Sequence, residues 1–306
     1  MNSDANNNRR RGEQHLLVSF CNTENYAPSV AAIDLHAEVP RVRFLNIKRR
    51  FLRLPGARGL CFWNGLVCVG HEGRQLAGPG FVLLDPERNF KKVGGGKLPT
   101  LPHSVCSKGE DLFFTLSRED SVYRVTRDED SGRWEATRFW TFPGSSGARD
   151  EIHVNAIELL DGRLCISAGG KKEPGSRLRA SAKRGFVWDI EREQQLMNDL
   201  NHPHSLLEVG HEPWTCETRA GRIVSARGDE HCFSGGPEML ARGLAVDDRY
   251  FYVGVSKLRV GSKSLGTFER YRGSCLIYRV DHETREHEVL IDLSEHRDEI
   301  YELLLV

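Results

Sequence analysis

Six ionisable residues recur along the chain in similar local settings: Arg58, His103, His153, His204, Arg242 and Glu299, spaced 38 to 57 residues apart. Their neighbours match as well, in Ala57-Arg58-Gly59-Leu60, Pro102-His103-Ser104-Val105, Ile152-His153-Val154-Asn155, Pro203-His204-Ser205-Leu206, Ala241-Arg242-Gly243-Leu244 and Asp298-Glu299-Ile300-Tyr301. Three histidines that meet at one point would hold a divalent metal through neutral imidazole nitrogens and leave positions open for water or substrate, the arrangement of catalytic rather than closed sites. Iron, manganese, zinc, copper or calcium all fit that description. Glu299 would be a fourth ligand or a base beside the metal. The guanidinium forks of Arg58 and Arg242 suit an anionic substrate group, such as a carboxylate or phosphate. Asn155, two residues past His153, would orient a water or a carbonyl, and Glu302 is a further candidate on the last strand. The competing reading is a polar channel lining in which Arg58 and Arg242 form salt bridges with Glu299.

Such residues act together only if the chain brings them to one place, which is a question about the elements between them. Those elements are short runs of β-branched, aromatic and aliphatic residues bounded by Gly, Asp, Asn or Pro, among them LLVSF at 16–20, FVLLD at 81–85, RLCISA at 163–168 and CLIYRV at 275–280. Each unit reads as an apolar strand, a turn (Asn64-Gly65, Lys108-Gly109, Asp161-Gly162, Asp247-Asp248), a second strand, and a third ending in an acidic turn such as Leu84-Asp85-Pro86-Glu87 or Trp188-Asp189-Ile190-Glu191. A repeat of this length made of four strands is a propeller blade. Glu299–Val306 supplies one strand, and Leu16–Ile47 supplies three strand-like segments before the first repeat. One and three make a blade, and five internal blades with this composite one make six. The chain is therefore expected to be all-β, a six-bladed β-propeller over residues 15–306 closed by its C-terminal strand, after a disordered tail at 1–14. Two packed sandwiches would explain neither the common blade openings nor the split last blade. Innermost strands line the central channel of a propeller, so the six repeated side chains are expected to face the axis.

Composition restricts the function. The chain has 306 residues, 39% of them hydrophobic, which is enough for a large core. Its 43 basic and 43 acidic residues leave no net charge to attract nucleic acid or an acidic membrane. With no apolar run behind the Asn- and Arg-rich start, a cytoplasmic protein is expected. Cys21, Cys61, Cys68, Cys106, Cys165, Cys216, Cys232 and Cys275 stand singly, as reduced thiols would. Arg227-Gly228-Asp229 and Gly94-Gly95-Gly96-Lys97 lack the context of an adhesion tripeptide or a phosphate loop, and no G-x-S-x-G elbow is present. His71-Glu72 and His231-Cys232 read as surface positions at strand ends, with lining of the channel entrance as the alternative. Two Gly-rich basic insertions, Gly169–Arg184 and Val260–Arg272, are expected as loops over one face of the disc, where function gathers.

The run Asp150–Asn155, the segment His202-Pro203-His204-Ser205, the segment Val253-Gly254-Val255-Ser256-Lys257-Leu258-Arg259 and the closing Asp298–Tyr301 resemble a bacterial family of conserved proteins carrying a domain of unknown function. More loosely, the channel is similar to those of metal-dependent six-bladed propeller enzymes of the gluconolactonase, virginiamycin lyase and oligogalacturonate lyase groups. That resemblance implies an axial divalent ion and an oxygen-rich or carbonyl-containing substrate. From the residues themselves the expected substrate is a small anionic or carbonyl-containing molecule, or a peptide, handled by lyase, isomerase, cyclase or hydrolase chemistry, with natural-product biosynthesis as the expected setting. Iron or copper on the same histidines would imply oxidoreductase chemistry, and a non-catalytic binding scaffold is the reading from a different class.

Overall fold

The computed structural model describes residues 14–21, 27–49, 52–54, 56–73, 78–143, 145, 149–171, 184–233, 239–260 and 270–306. The tail at 1–13 and residues 172–183 of the first insertion lie outside the described residues. Among the described residues, six antiparallel sheets make a six-bladed β-propeller, as the repeat predicts; five have four strands, that of blade five has a fifth short strand beside its second, and blades one to five run in chain order from the axis outward. The inner strands are Ala57–Trp63, Ser104–Lys108, Val154–Leu160, Pro203–Val209, Met239–Val246 and Ile300–Leu305, in blades one to six. Blade six is composite: Ile300–Leu305 pairs with His15–Phe20, with Leu16 opposite Leu305 and Val18 opposite Leu303, and Val30–Asp34 and Arg41–Phe44 follow outward. Closing the ring between the two ends of the chain removes the open edges that a row of blades would expose.

Local chemistry accounts for the repeat. The Asn64-Gly65 and Asp161-Gly162 turns have both residues at positive φ, which matches the twist of a two-residue hairpin. The acidic turns are carboxylates accepting backbone N–H groups: Asp189 takes those of Glu191 and Arg192, and Asp281 those of Glu283 and Thr284, all at 3.0 Å. Apolar residues on facing sheets form one core cluster at each of the six seams between blades. All eight thiols are free. Among the described residues no helix is long and apolar enough to cross a membrane.

The inner strands do not run straight from their first residue. Pairing passes from Ala57–His71 to Leu60–Val69 in blade one and from Ala241–Val255 to Leu244–Val253 in blade five, so Arg58-Gly59 and Arg242-Gly243 each oppose a single glycine. Bulges of the same kind fall at Asn155, Ser205 and Tyr301. A bulge turns a strand locally and re-aims its side chains. Glycine is needed for it here because the neighbouring strand is close: a Cβ on Gly59 would lie 2.6 Å from Ser104 Cα.

A candidate active site at the mouth of the channel

The bulged ends gather at one mouth of the channel. His103 stands next to both other histidines of the arc, with ring centroids 5.1 Å from His153 and 5.8 Å from His204. Tyr301 fills the centre: its ring is 5.2 Å from that of His103, the Arg58 guanidinium is 5.2 Å from its centroid and that of Arg242 is 5.7 Å away. Arg58, His103, His153, His204, Arg242 and Glu299 are thus brought together as their repeat positions predict. His103, His204 and Glu299 are buried, and His153, Arg58 and Arg242 are partly open to the mouth.

Each histidine is held through Nδ1. That of His153 lies 2.6 Å from Asp150 Oδ1, and that of His204 lies 3.1 Å from the His202 carbonyl oxygen and 2.8 Å from Thr218 Oγ1. Carbonyl and ionised carboxylate oxygens only accept, so Nδ1 carries the hydrogen in both rings and Nε2 carries the lone pair. The Nδ1 of His103 is hydrogen-bonded to the Tyr301 hydroxyl. Burial first, then the guanidinium of Arg58 and the neighbouring imidazoles, hold His103 well below its ordinary pKa; burial and Arg242 do the same to His204. Both are neutral bases at physiological pH. The Nε2 of His204 and the Nε of Arg242 are buried without a hydrogen-bond partner, a costly condition that a bound ligand would relieve.

The acidic groups divide between the two arginines. Glu72 pairs with Arg58 through Nε and a terminal nitrogen, both at 3.0 Å, so the acidic partner of Arg58 is Glu72 rather than the Glu299 of the competing reading. Burial opposes the charge of Arg58, but Tyr301 and Glu72 outweigh it and raise its pKa. Arg242 approaches Glu299 at 3.8 Å. Glu299 also accepts from Tyr271 Oη at 3.0 Å and from Cys21 Sγ at 3.1 Å. Tyr271 lies on Arg270–Arg272, which pairs with the long second strand of blade five, so the described part of the second insertion does reach the site. Asn155 turns elsewhere: its amide donates to the Pro203 carbonyl at 2.8 Å and ties blade three to blade four, while its Oδ1 is buried without a partner. Glu302 points further down the channel, where Ser205 Oγ donates to it at 2.8 Å beside a cavity of about 240 Å3 that Glu158 also lines.

Sequence reasoning missed two members, Tyr301 and Asp120, and gave less weight to a third. His71 and Glu72 are read from sequence as surface residues with the entrance as the alternative; Glu72 pairs with Arg58 at the mouth, and His71 is fully buried. Tyr301 lies in the quoted repeat, two residues past Glu299 and so on the same face by alternation, a signal that was available; it is the bulged residue of the last inner strand. Asp120, in blade two, accepts the N–H groups of Glu151, Ile152 at 3.2 Å and His153 at 2.9 Å, and so shapes the loop that presents His153 with φ of 55°. An aspartate in a turn gives no signal of that reach.

For a metal, the donor set fits in its chemistry: His153 and His204 present Nε2 lone pairs with Nδ1 oriented by a second layer of partners, as metal-binding histidines do. With Zn–N near 2.1 Å, two tetrahedral imidazole ligands have ring centroids about 5 Å apart, close to the 5.1 Å of His103 and His153. Among the described residues, no three His, Cys, Asp or Glu side chains are grouped so as to hold an ion as they stand.

No protein-family model and no curated protein matches the chain, so its likeness to known proteins stands at the level of the fold. The periplasmic gluconolactonase of Pseudomonas aeruginosa superposes with a TM-score of 0.58 at 12% identity, covering 96% of this chain and 99% of that one. A putative 6-phosphogluconolactonase of Bacteroides fragilis gives 0.56 at 13% identity over 97% and 98%. A chain of a nidogen/laminin complex gives 0.63 at 10% identity over 95% and 98%. The fold is thus shared by proteins named as lactonases and by one found in a protein complex.

Proposed function

We propose that the protein is a hydrolase-like propeller enzyme whose active site is this mouth of the channel, and that it acts on a small substrate carrying both a carbonyl and an anionic group, a sugar-acid lactone being the nearest chemical type. The carrying observation is the pair of unsatisfied buried atoms, Arg242 Nε and His204 Nε2, one a donor and the other a base, in the same pocket. Arg242 binds the anionic group, releasing Glu299 as it does so. Arg58, fixed by Glu72, keeps the pocket positive. Glu299, released from Arg242, takes a proton from the attacking water. A divalent ion on His103, His153 and His204, with Glu299 alongside, belongs to the same reading and would polarise the carbonyl. The names of the lactonases with this fold support the reaction class.

The test is proton release in a pH-stat with a panel of aldonolactones, with and without added divalent ions. Wild type should accelerate ring opening, and Arg242→Met should raise KM by about tenfold or more, the loss of one charge-assisted contact. Elemental analysis of tag-free protein should find about one equivalent of metal, lost in His153→Ala; iron or copper would redirect the reading to oxygen chemistry. No turnover in any arm would leave the disc as a binding scaffold, the role that likeness to the nidogen/laminin chain favours.

A further inference from the structure

We propose that His231 and His287 form a second metal site, on the outer rim of the disc, where a divalent transition ion that prefers imidazole, such as zinc, ties blade four to blade five. His231 lies on Glu230–Cys232 and His287 on His287–Asp292, the outermost strands of their blades. Each is three strand spacings, about 14 Å, out from the inner strand of its own blade, so the pair is separate from the channel mouth. The two rings meet across the seam, with Nε2 of His231 3.1 Å from Nδ1 of His287.

Geometry favours a shared ion over a plain hydrogen bond. A straight bond of that length between two imidazoles would set their ring centroids about 5.4 Å apart. They are 4.8 Å apart, at an interplanar angle of 79°. The rings are therefore bent off the line that joins the two nitrogens. Two nitrogens each about 2.1 Å from one ion, at an angle of about 95°, reproduce both the 3.1 Å and the 4.8 Å.

The surroundings suit such an ion. Phe233 packs 5.0 Å from the His231 ring and Tyr278 5.6 Å from that of His287, so the imidazoles are already held and lose little rotamer freedom on binding. Each neutral imidazole has one hydrogen, so the ring that donates across the seam takes its other tautomer, its facing nitrogen gains a lone pair, and no proton leaves the protein. Among the described residues no three His, Cys, Asp or Glu side chains are grouped to hold an ion. Water therefore completes the coordination, and the ion exchanges with solvent instead of staying through purification. The positive neighbour of His231 is Arg285, whose guanidinium stands 5.1 Å from the centroid of Trp214.

The experiment titrates zinc chloride into the full chain carrying His153→Ala, which breaks the histidine arc of the channel, and follows binding by calorimetry. About one equivalent should bind. Adding His287→Ala should weaken binding by about tenfold or more, at least what the loss of an outer partner costs a metal site. His231→Gln should do the same, and both losses should recur on the wild-type background. His287 is exposed, so its removal leaves the fold intact. Arg285→Gln, with one repelling charge fewer, should tighten binding by about threefold. An affinity unmoved by either histidine variant, looser binding in Arg285→Gln, or no binding by the parent at about 1 mM zinc would each overturn the proposal. The pair would then be a hydrogen bond across the seam, and the reading of the channel would be untouched.

Discussion

Asp120→Ala removes the acceptor that holds three backbone N–H groups of the segment entering blade three. The carboxylate is fully buried, in the turn between the second and third strands of blade two, so the bonds cross from one blade to the next. A hydrogen bond to a charged group contributes about 1.5–3 kcal/mol, and an unsatisfied buried donor costs about as much. Three bonds sharing one carboxylate fall short of additive, and part of the ion's own burial cost is recovered when it goes, so the expected loss is about 3–5 kcal/mol. At about 2–4 °C per kcal/mol for a chain of this size, the melting midpoint should fall by about 10 °C. Asp120→Asn gives a second, finer measure. Its one remaining carbonyl oxygen can serve the Glu151 and Ile152 donors, but the amide then confronts the N–H of His153, so the loss should be about 1–3 kcal/mol and concentrated at His153. Thermal melts by circular dichroism give the midpoints, and proton exchange at the His153 amide reports the local release. A midpoint for Asp120→Ala within about 3 °C of wild type, less than about 1.5 kcal/mol by the same conversion, would show that this carboxylate does not fasten the His153 loop.

Glu302 is pushed up to about 8, first by burial and further by Glu158, against the Ser205 hydrogen bond. The folded state therefore keeps a proton that the unfolded chain releases near pH 4.5, and stability falls as pH rises from there to about 8, by about 1.4 kcal/mol for each pH unit crossed. Glu302→Gln should flatten that fall, with little change at pH 5 and a midpoint several degrees above wild type at pH 9; parallel curves for the two proteins would contradict it. Gly254→Ala should disrupt blade five, because a Cβ there would lie 2.6 Å from Ile300 Cγ2 and against the Arg242 carbonyl oxygen. Overpacking of that kind costs about 1–3 kcal/mol, read as a lower urea midpoint, and the accompanying shift of Arg242 should weaken anion binding measured by calorimetry.

Six blades, the closure of the ring and the repeat positions of the ionisable groups are all legible in the order of residues along the chain. These follow from rules that are local and periodic. Alternation of apolar residues sets the faces of each strand, paired positive-φ residues set the hairpins, and carboxylates at fixed places set the acidic turns. Whether those ionisable groups work together, and through whom, depends on how the strands bend and the blades pack. The bulges at Arg58-Gly59, Asn155, Ser205, Arg242-Gly243 and Tyr301 break the period on which a sequence reading depends. One extra residue reverses which side of the strand follows, so Asn155, which alternation would put beside His153, turns into the wall. The partners that tune the site come from other parts of the chain: Asp120 from blade two, Glu72 from the end of a neighbouring strand, Tyr271 from the second insertion and Cys21 from blade six. Pairings across such distances depend on how blades pack side by side, and no spacing along the chain encodes them.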